Sequence, residues 1–300
     1  MDFTVDEAYA GRALRDFLRR KLCVSHGLAA ALKRENGIFA DGVPVTVRHI
    51  LSRGEKITLR VEDTESTVTP SDAPVRILYE DELLLACDKP PYMPTHESHG
   101  HRGDALSNAL AGEFARRGVP FVFRAVNRLD ADTSGVLLVA KNRYAAERLG
   151  ALVRERRVEK TYLALLNGIP EQRSGTIESY IRRIGDSIIL RASFPSGTPS
   201  EHAVTRYAVA ETVGDIAVVR CTPLTGRTHQ LRVHFASIGY PIVGDELYGG
   251  GRALPRQALH AAGFRFTHPL SGKEIEISSP LPADMRTFLD AKKTEFEIKE

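Results

Sequence analysis

Asp130, Asp132, Thr133 and Ser134 stand within five residues of one another, between Arg128 and an apolar run over 136–140. The run reads as a buried strand, so the polar cluster sits at the mouth of a core element. A carboxylate in such a place loses solvation and has to be held ionised by hydrogen bonds or a cation. That makes Asp130 a candidate for chemistry rather than ordinary surface charge. The same residues are also good turn formers: Asp132 or Ser134 can close a local turn, and Gly135 relaxes the backbone. On spacing alone the turn is the commoner outcome.

Two further stretches carry reactive side chains. Lys160-Thr161-Tyr162-Leu163-Ala164-Leu165-Leu166-Asn167-Gly168 alternates polar and apolar residues before a glycine turn and reads as a strand. In that window Tyr162 is adequately explained as a half-buried strand aromatic. Thr225-Gly226-Arg227-Thr228-His229-Gln230-Leu231-Arg232-Val233-His234 follows some sixty residues on. His229 and His234 are five residues apart, too far for one helix face. No cysteine or acid lies nearby to complete a ligand set, so no metal is expected.

The nine residues 127–135, followed by their apolar strand, resemble the signature of the RluA-type pseudouridine synthases. The run 225–234 is similar to that family's second signature, in family order about a hundred residues later. The resemblance covers about residues 75 to 290. It implies an enzyme that isomerises specific uridines to pseudouridine in structured RNA, ribosomal or transfer. Asp130 is then the catalytic aspartate and Tyr162 lines the pocket against the base, where an aromatic face can replace lost stacking on a flipped uracil. Arg232 suits the counter-ion of Asp130, because a guanidinium stays protonated and offers a rigid fork of donors. Arg128 and Arg227 fall to RNA contact. No Walker loop or dinucleotide fingerprint is present, and no cofactor is implied.

The elements that must position these residues read as an α+β fold. Strands over 203–211 and 216–223 flank a turn at Gly214-Asp215, and short apolar runs over 75–79 and 83–87 flank Glu80-Asp81-Glu82. Hairpin-length turns favour antiparallel pairing, so a long mixed, mainly antiparallel sheet with flanking helices is expected. Leu106, Leu110 and Phe114 mark one helix. A second starts at Asn142, and a third carries Met285, Phe288 and Leu289, with the tail after Lys292 expected to fray.

In front lies a different segment. Residues 11–59 hold ten lysines or arginines against four acids, a net of +6 in a chain of net +3. A basic segment beside a near-neutral body is the footprint of a module that holds a polyanion, although most basic runs are merely solvated faces. Leu14, Phe17, Leu18 and Leu22 fall at helical spacing, Ser25 can cap a second helix, and Asp41-Gly42 signals a tight hairpin. The pattern resembles the alpha-L RNA-binding module, with Arg15, Arg19, Lys33 and Arg34 as its RNA contacts. The expected division is a module over 1–61, a polar linker over 62–74 and a catalytic domain over 75–300.

At 300 residues, 42% hydrophobic and 26% charged, the composition is that of a globular chain. The first 25 residues are charged throughout, which excludes a secretory apolar core or a membrane span there. The three cysteines are scattered among apolar neighbours and read as buried thiols. A cytoplasmic monomer is expected. Two other classes fit part of the pattern: a noncatalytic RNA-binding protein, and a hydrolase using His229 or His234, though no Gly-x-Ser-x-Gly elbow is present.

Overall fold

The computed structural model describes residues 1–63, 65–98, 100 and 102–297. The amino-terminal part is built from β1 (Asp2–Thr4), α1 (Leu14–Asp16, continued by a π turn over Phe17–Lys21), α2 (His26–Arg34), β2 (Ile38–Ala40), β3 (Val43–Pro44) and β4 (Lys56–Leu59). Its four strands form an antiparallel sheet in the order β1-β4-β2-β3. The Ser25 hydroxyl accepts from the Leu28 amide at 3.1 Å and caps α2 as its position predicts.

The body contains β5 (Arg76–Glu80), β6 (Leu84–Lys89), α3 (Leu106–Arg116), β7 (Ser134–Ala140), α4 (Arg143–Arg154), β8 (Val158–Asn167) and β9 (Ser174–Arg183). It continues with β10 (Arg191–Phe194), β11 (His202–Val213), β12 (Ile216–Pro223), α5 (Gln230–Ser237), β13 (Leu259–Thr267), β14 (Glu274–Ser278) and α6 (Ala283–Glu297). Ten strands form one sheet in the order β10-β9-β11-β12-β8-β13-β7-β6-β5, with β14 branching from β13. The strand pairs are antiparallel except β13 with β7, which run parallel over two residue pairs. This is the mixed, mainly antiparallel α+β architecture expected. α6 runs on to Glu297, past the fraying expected after Lys292, helped by a Lys292–Glu295 ion pair at 3.0 Å.

β7 shows why its sequence is apolar without alternation. Leu137 and Val139 join a core with α3, α5 and Met285 of α6, while Val136, Leu138 and Ala140 join another with α4 and the amino-terminal module. The strand is covered on both faces. The second core is shared between module and body. The Tyr144 hydroxyl donates to the Leu22 carbonyl at 3.1 Å, its ring meets Phe3 edge-on, and Arg143 makes a two-bond ion pair with Glu35.

Residues 62–74 carry no regular element among those described, yet they are fastened to the body. Asp63 takes two 2.7 Å bonds from Arg124, and the Asn108 side chain donates to the Thr69 carbonyl. α3 approaches so closely that a Cβ at Gly112 would lie 1.9 Å from the Ser71 carbonyl oxygen. Any residue but glycine would push the segment off.

Candidate active site

The residues around Asp130 form a loop leading into β7, and the loop is held by buried polar groups from distant segments. The Thr95 hydroxyl donates to the Leu129 carbonyl at 2.8 Å. Leu138 donates its amide to the Asn127 side-chain oxygen at 2.8 Å. Arg256 donates to the Asp132 carbonyl at 3.1 Å, and the Ser134 hydroxyl meets His260 Nδ1 at 2.9 Å. Because His260 Nε2 faces the Ser279 carbonyl, that nitrogen carries the proton and Nδ1 accepts from Ser134. Gly135 has φ +110°, and a Cβ there would lie 2.2 Å from the Ala261 carbonyl oxygen. Only glycine lets β7 leave this loop against β13.

Lys89 fastens the loop from beneath. Its ammonium is fully buried and donates to three carbonyls, Pro90 at 2.9 Å, Met93 at 2.7 Å and Ala131 at 2.7 Å. Three acceptors use all three protons of a charged amine. Burial nevertheless pulls its pKa down from the usual lysine range to about 7, with the charges of Asp132 and Asp130 opposing the shift.

Held in this way, Asp130 opens onto a pocket of about 350 Å³ lined by Arg128, Tyr162, Arg227, His229 and Arg232 among others. Its side chain is 30% exposed. Oδ2 accepts from Arg232 Nη1 at 3.2 Å, while Oδ1 has no hydrogen-bond partner among the described residues. Tyr162, on β8, is almost fully buried against the core and forms a wall of the same pocket. Burial and the nearby Asp130 charge both push its hydroxyl pKa up, so it stays a neutral phenol.

Arg232 lies in the first turn of α5, and its stronger partner is one the sequence did not single out. Nε and Nη2 each donate to Asp245 at 2.7 Å, and Asp245 is 0% exposed. Burial works against the Arg232 charge, but Asp245 and Asp130 outweigh it, and the pKa rises above the usual range. His229 caps the same helix in the left-handed region, φ 57°. Its Nδ1 lies 2.8 Å from the Tyr248 hydroxyl, which itself accepts from the Arg191 amide, and its Nε2 lies 3.8 Å from Asp130 Oδ2. With the Tyr248 proton aimed at Nδ1, the ring presents Nε2–H toward the carboxylate. Desolvation, helped by Arg232, outweighs the pull of Asp130 and lowers the His229 pKa.

Asp130, Tyr162, Arg232, Arg128 and Arg227 thus meet at one pocket although the first and last of them, Arg128 and Arg232, are 104 positions apart in sequence. Arg227 is partly committed, donating to the Ser200 carbonyl at 2.7 Å. Arg15, Arg19, Lys33 and Arg34 do not line it; they stand exposed on the module. His234 points elsewhere, buried between Ser179 and Thr205, so the two histidines do not converge.

A carboxylate with one free oxygen, a guanidinium on the other and an aromatic wall suits nucleophilic or charge-stabilising work on a planar base. The family model described as RNA pseudouridylate synthase matches residues 83–237. The chain belongs to that family, in its RluA-type branch, and is an RNA pseudouridine synthase. It is similar to the uncharacterized RNA pseudouridine synthase YjbO of Bacillus subtilis, at 36% identity over 88% of this chain and 94% of that one. Ribosomal large subunit pseudouridine synthase D of Haemophilus ducreyi is 32% identical over 99% of this chain and 93% of its own length. Among solved structures, human RNA pseudouridylate synthase domain containing 1 superposes with a TM-score of 0.57 at 30% identity, over 74% of this chain and 96% of that one. Asp245 and Tyr248 lie outside the matched segment.

Proposed function

We propose that this enzyme isomerises specific uridines in ribosomal or transfer RNA, with Asp130 as nucleophile or charge stabiliser, Arg232 as its counter-ion and Tyr162 as the platform for the base. The observation that carries the assignment is the Asp130 carboxylate: the residue lines the pocket, Oδ2 is engaged by Arg232 at 3.2 Å and Oδ1 has no hydrogen-bond partner among the described residues. Uracil has to be cut from its ribose, turned and rejoined through carbon five. Such a reaction needs an anionic group, a hold on the detached base and a pocket closed to water. Tyr162 supplies a neutral ring for stacking, and Arg232 offsets charge at the carboxylate without taking a proton.

No helix among the described residues is long and apolar enough to cross a membrane; Cys87 and Cys221 are buried free thiols as expected, whereas Cys23, expected to be buried, is a free thiol exposed after the π turn. In this reading the enzyme acts in the cytoplasm as a monomer. Residues 1–61 act in this reading as an RNA-binding module through Arg15, Arg19, Lys33 and Arg34, with Arg128 and Arg227 holding RNA at the pocket. The name of the Haemophilus relative, ribosomal large subunit pseudouridine synthase D, makes large-subunit ribosomal RNA the first substrate to try.

The test is single-turnover conversion of unmodified ribosomal and transfer RNA transcripts by the wild type and by Asp130→Asn. The amide is nearly isosteric, so the variant should fold and bind RNA but form no product. Ordinary turnover by Asp130→Asn would remove that residue from the mechanism.

A further inference from the structure

The pocket at Asp130 continues beyond its own rim. Val153, Lys160 and Pro223 line it and also line a second depression of about 680 Å³. That groove runs between the carboxyl end of α4, the first residues of β8, Arg206 on β11 and the end of β12. Arg156, Arg157, Lys160, Arg206 and Arg265 face it, against Glu159 and Glu274. Both acids are spent on Arg265, at 2.7 Å and 3.6 Å. Arg157 has only a 3.3 Å pair with Glu155, both side chains more than half exposed, which is too weak to hold it. The side chains of Arg156, Lys160 and Arg206 make no hydrogen bond or ion pair with any described residue.

Arg156 adds an independent observation. It follows the carboxyl end of α4 with φ 57°, and the Arg157 amide reaches back to the Leu152 carbonyl at 2.8 Å. This is the left-handed position that helices usually give to glycine; a side chain there costs about 1 kcal/mol. Local structure would be better served without the arginine.

We propose that this groove holds the sugar-phosphate backbone of the substrate RNA on the strand flanking the uridine seated at Asp130. The proposal rests on the pseudouridine synthase reading for the identity of its ligand. Burial pushes the Lys160 ammonium below its usual range, a desolvation that a phosphate would offset. The uncommitted cations all line the groove, and Lys160 lines the pocket as well, so one strand can engage both sites at once.

The experiment uses the full chain and a fluorescein-labelled, unmodified RNA hairpin with a loop uridine, titrated across a salt series. Arg156→Gln combined with Arg206→Gln removes two exposed cations, and thermal melts check that the variant is folded. The slope of log affinity against log salt should fall by about 1.4, near 0.7 for each lost single-strand contact. With converted transcripts, the loss should fall on the half-saturating RNA concentration rather than on the rate at saturation. A control pair on α6, Arg286→Gln with Lys292→Gln, removes the same charge and should leave the slope alone. An unchanged slope in the groove variant, or an equal drop in the control, overturns the groove as an RNA site. Normal binding with a lost saturating rate also overturns it, assigning the arginines to chemistry. If the wild type forms no pseudouridine in any transcript while the groove variant still flattens the slope, the isomerase reading fails and the groove stands.

Discussion

Arg232 divides its guanidinium between two carboxylates, giving Nε and Nη2 to Asp245 at 2.7 Å each and Nη1 to Asp130 at 3.2 Å. The buried acid fixes the fork and the open acid receives what is left. This geometry leaves Asp130 with a fixed counter-ion and one free oxygen. Asp245→Asn keeps the shape but removes the charge that holds the fork. Breaking a buried pair typically costs about 3–5 kcal/mol. A fall of that order in urea-unfolding stability is expected, with a loss of single-turnover rate larger than the loss of RNA affinity. A stable Asp245→Asn enzyme with normal turnover would show that Asp130 needs no such anchoring.

Arg232→Lys tests the fork itself. A lysine keeps the charge but cannot donate two parallel bonds to Asp245 while reaching Asp130. One carboxylate must lose its partner. Misplacement of a catalytic group by about 1 Å can lower the rate on the order of a hundredfold, and a loss of that size is the expected result. Near-normal rates in the lysine variant would reduce Arg232 to a point charge.

The parts of this site visible in the sequence were those carried by local patterns. Asp130 precedes a recognisable apolar strand and Tyr162 sits in an alternating one, yet a turn and a strand aromatic account for those patterns equally well, and it was the resemblance of these stretches and of the run 225–234 to family signatures that gave Asp130, Tyr162 and Arg232 their roles. Asp245 stands in a stretch, 239–249, that follows the family's order, but nothing in the sequence pairs it with Arg232; only the fold buries it there. Lys89, Thr95, Arg256 and His260 were equally silent as loop supports, because each reaches residues 129–134 from 34 to 126 positions away. α5 was not legible as a helix for a related reason. Residues 230–235 are all buried, and a helix covered on every side shows no amphipathic period.

Stability should fall with acid through His234. The ring is 0% exposed, between the Ser179 and Thr205 hydroxyls and with no carboxylate among the described residues paired to it, and burial holds its pKa down at about 4. Above the ordinary value near 6.5 it is neutral in folded and unfolded chains alike, and its contribution is intact. As pH falls from there toward 4, the unfolded chain takes up a proton that the folded ring refuses, so stability is lost across that window, by roughly 3 kcal/mol in all. The pKa values of His229 and His260 are also lowered and act in the same direction. Urea midpoints between pH 4.5 and 7.5 should therefore slope less steeply in His234→Gln than in the wild type. Identical slopes would mean that the acid sensitivity comes from other groups.

The basic module calls for a test that respects its packing. Deleting it would strip Leu22 and Phe3 from Tyr144 and break the Glu35–Arg143 pair, exposing core that belongs to α4. A truncated protein could then fail through instability alone. Replacing Arg15, Arg19, Lys33 and Arg34 with glutamine avoids this, because all four side chains are exposed and none is paired with a described residue. If the module holds RNA by phosphate contacts, the quadruple variant should melt as the wild type does. Its salt slope should fall by as much as about 2.8, four contacts at about 0.7 each. Combining it with the groove substitutions should lower the slope further, since the two sets of cations lie on separate surfaces. A quadruple variant with an undiminished slope would make those four side chains a solvated face and leave RNA binding to the body.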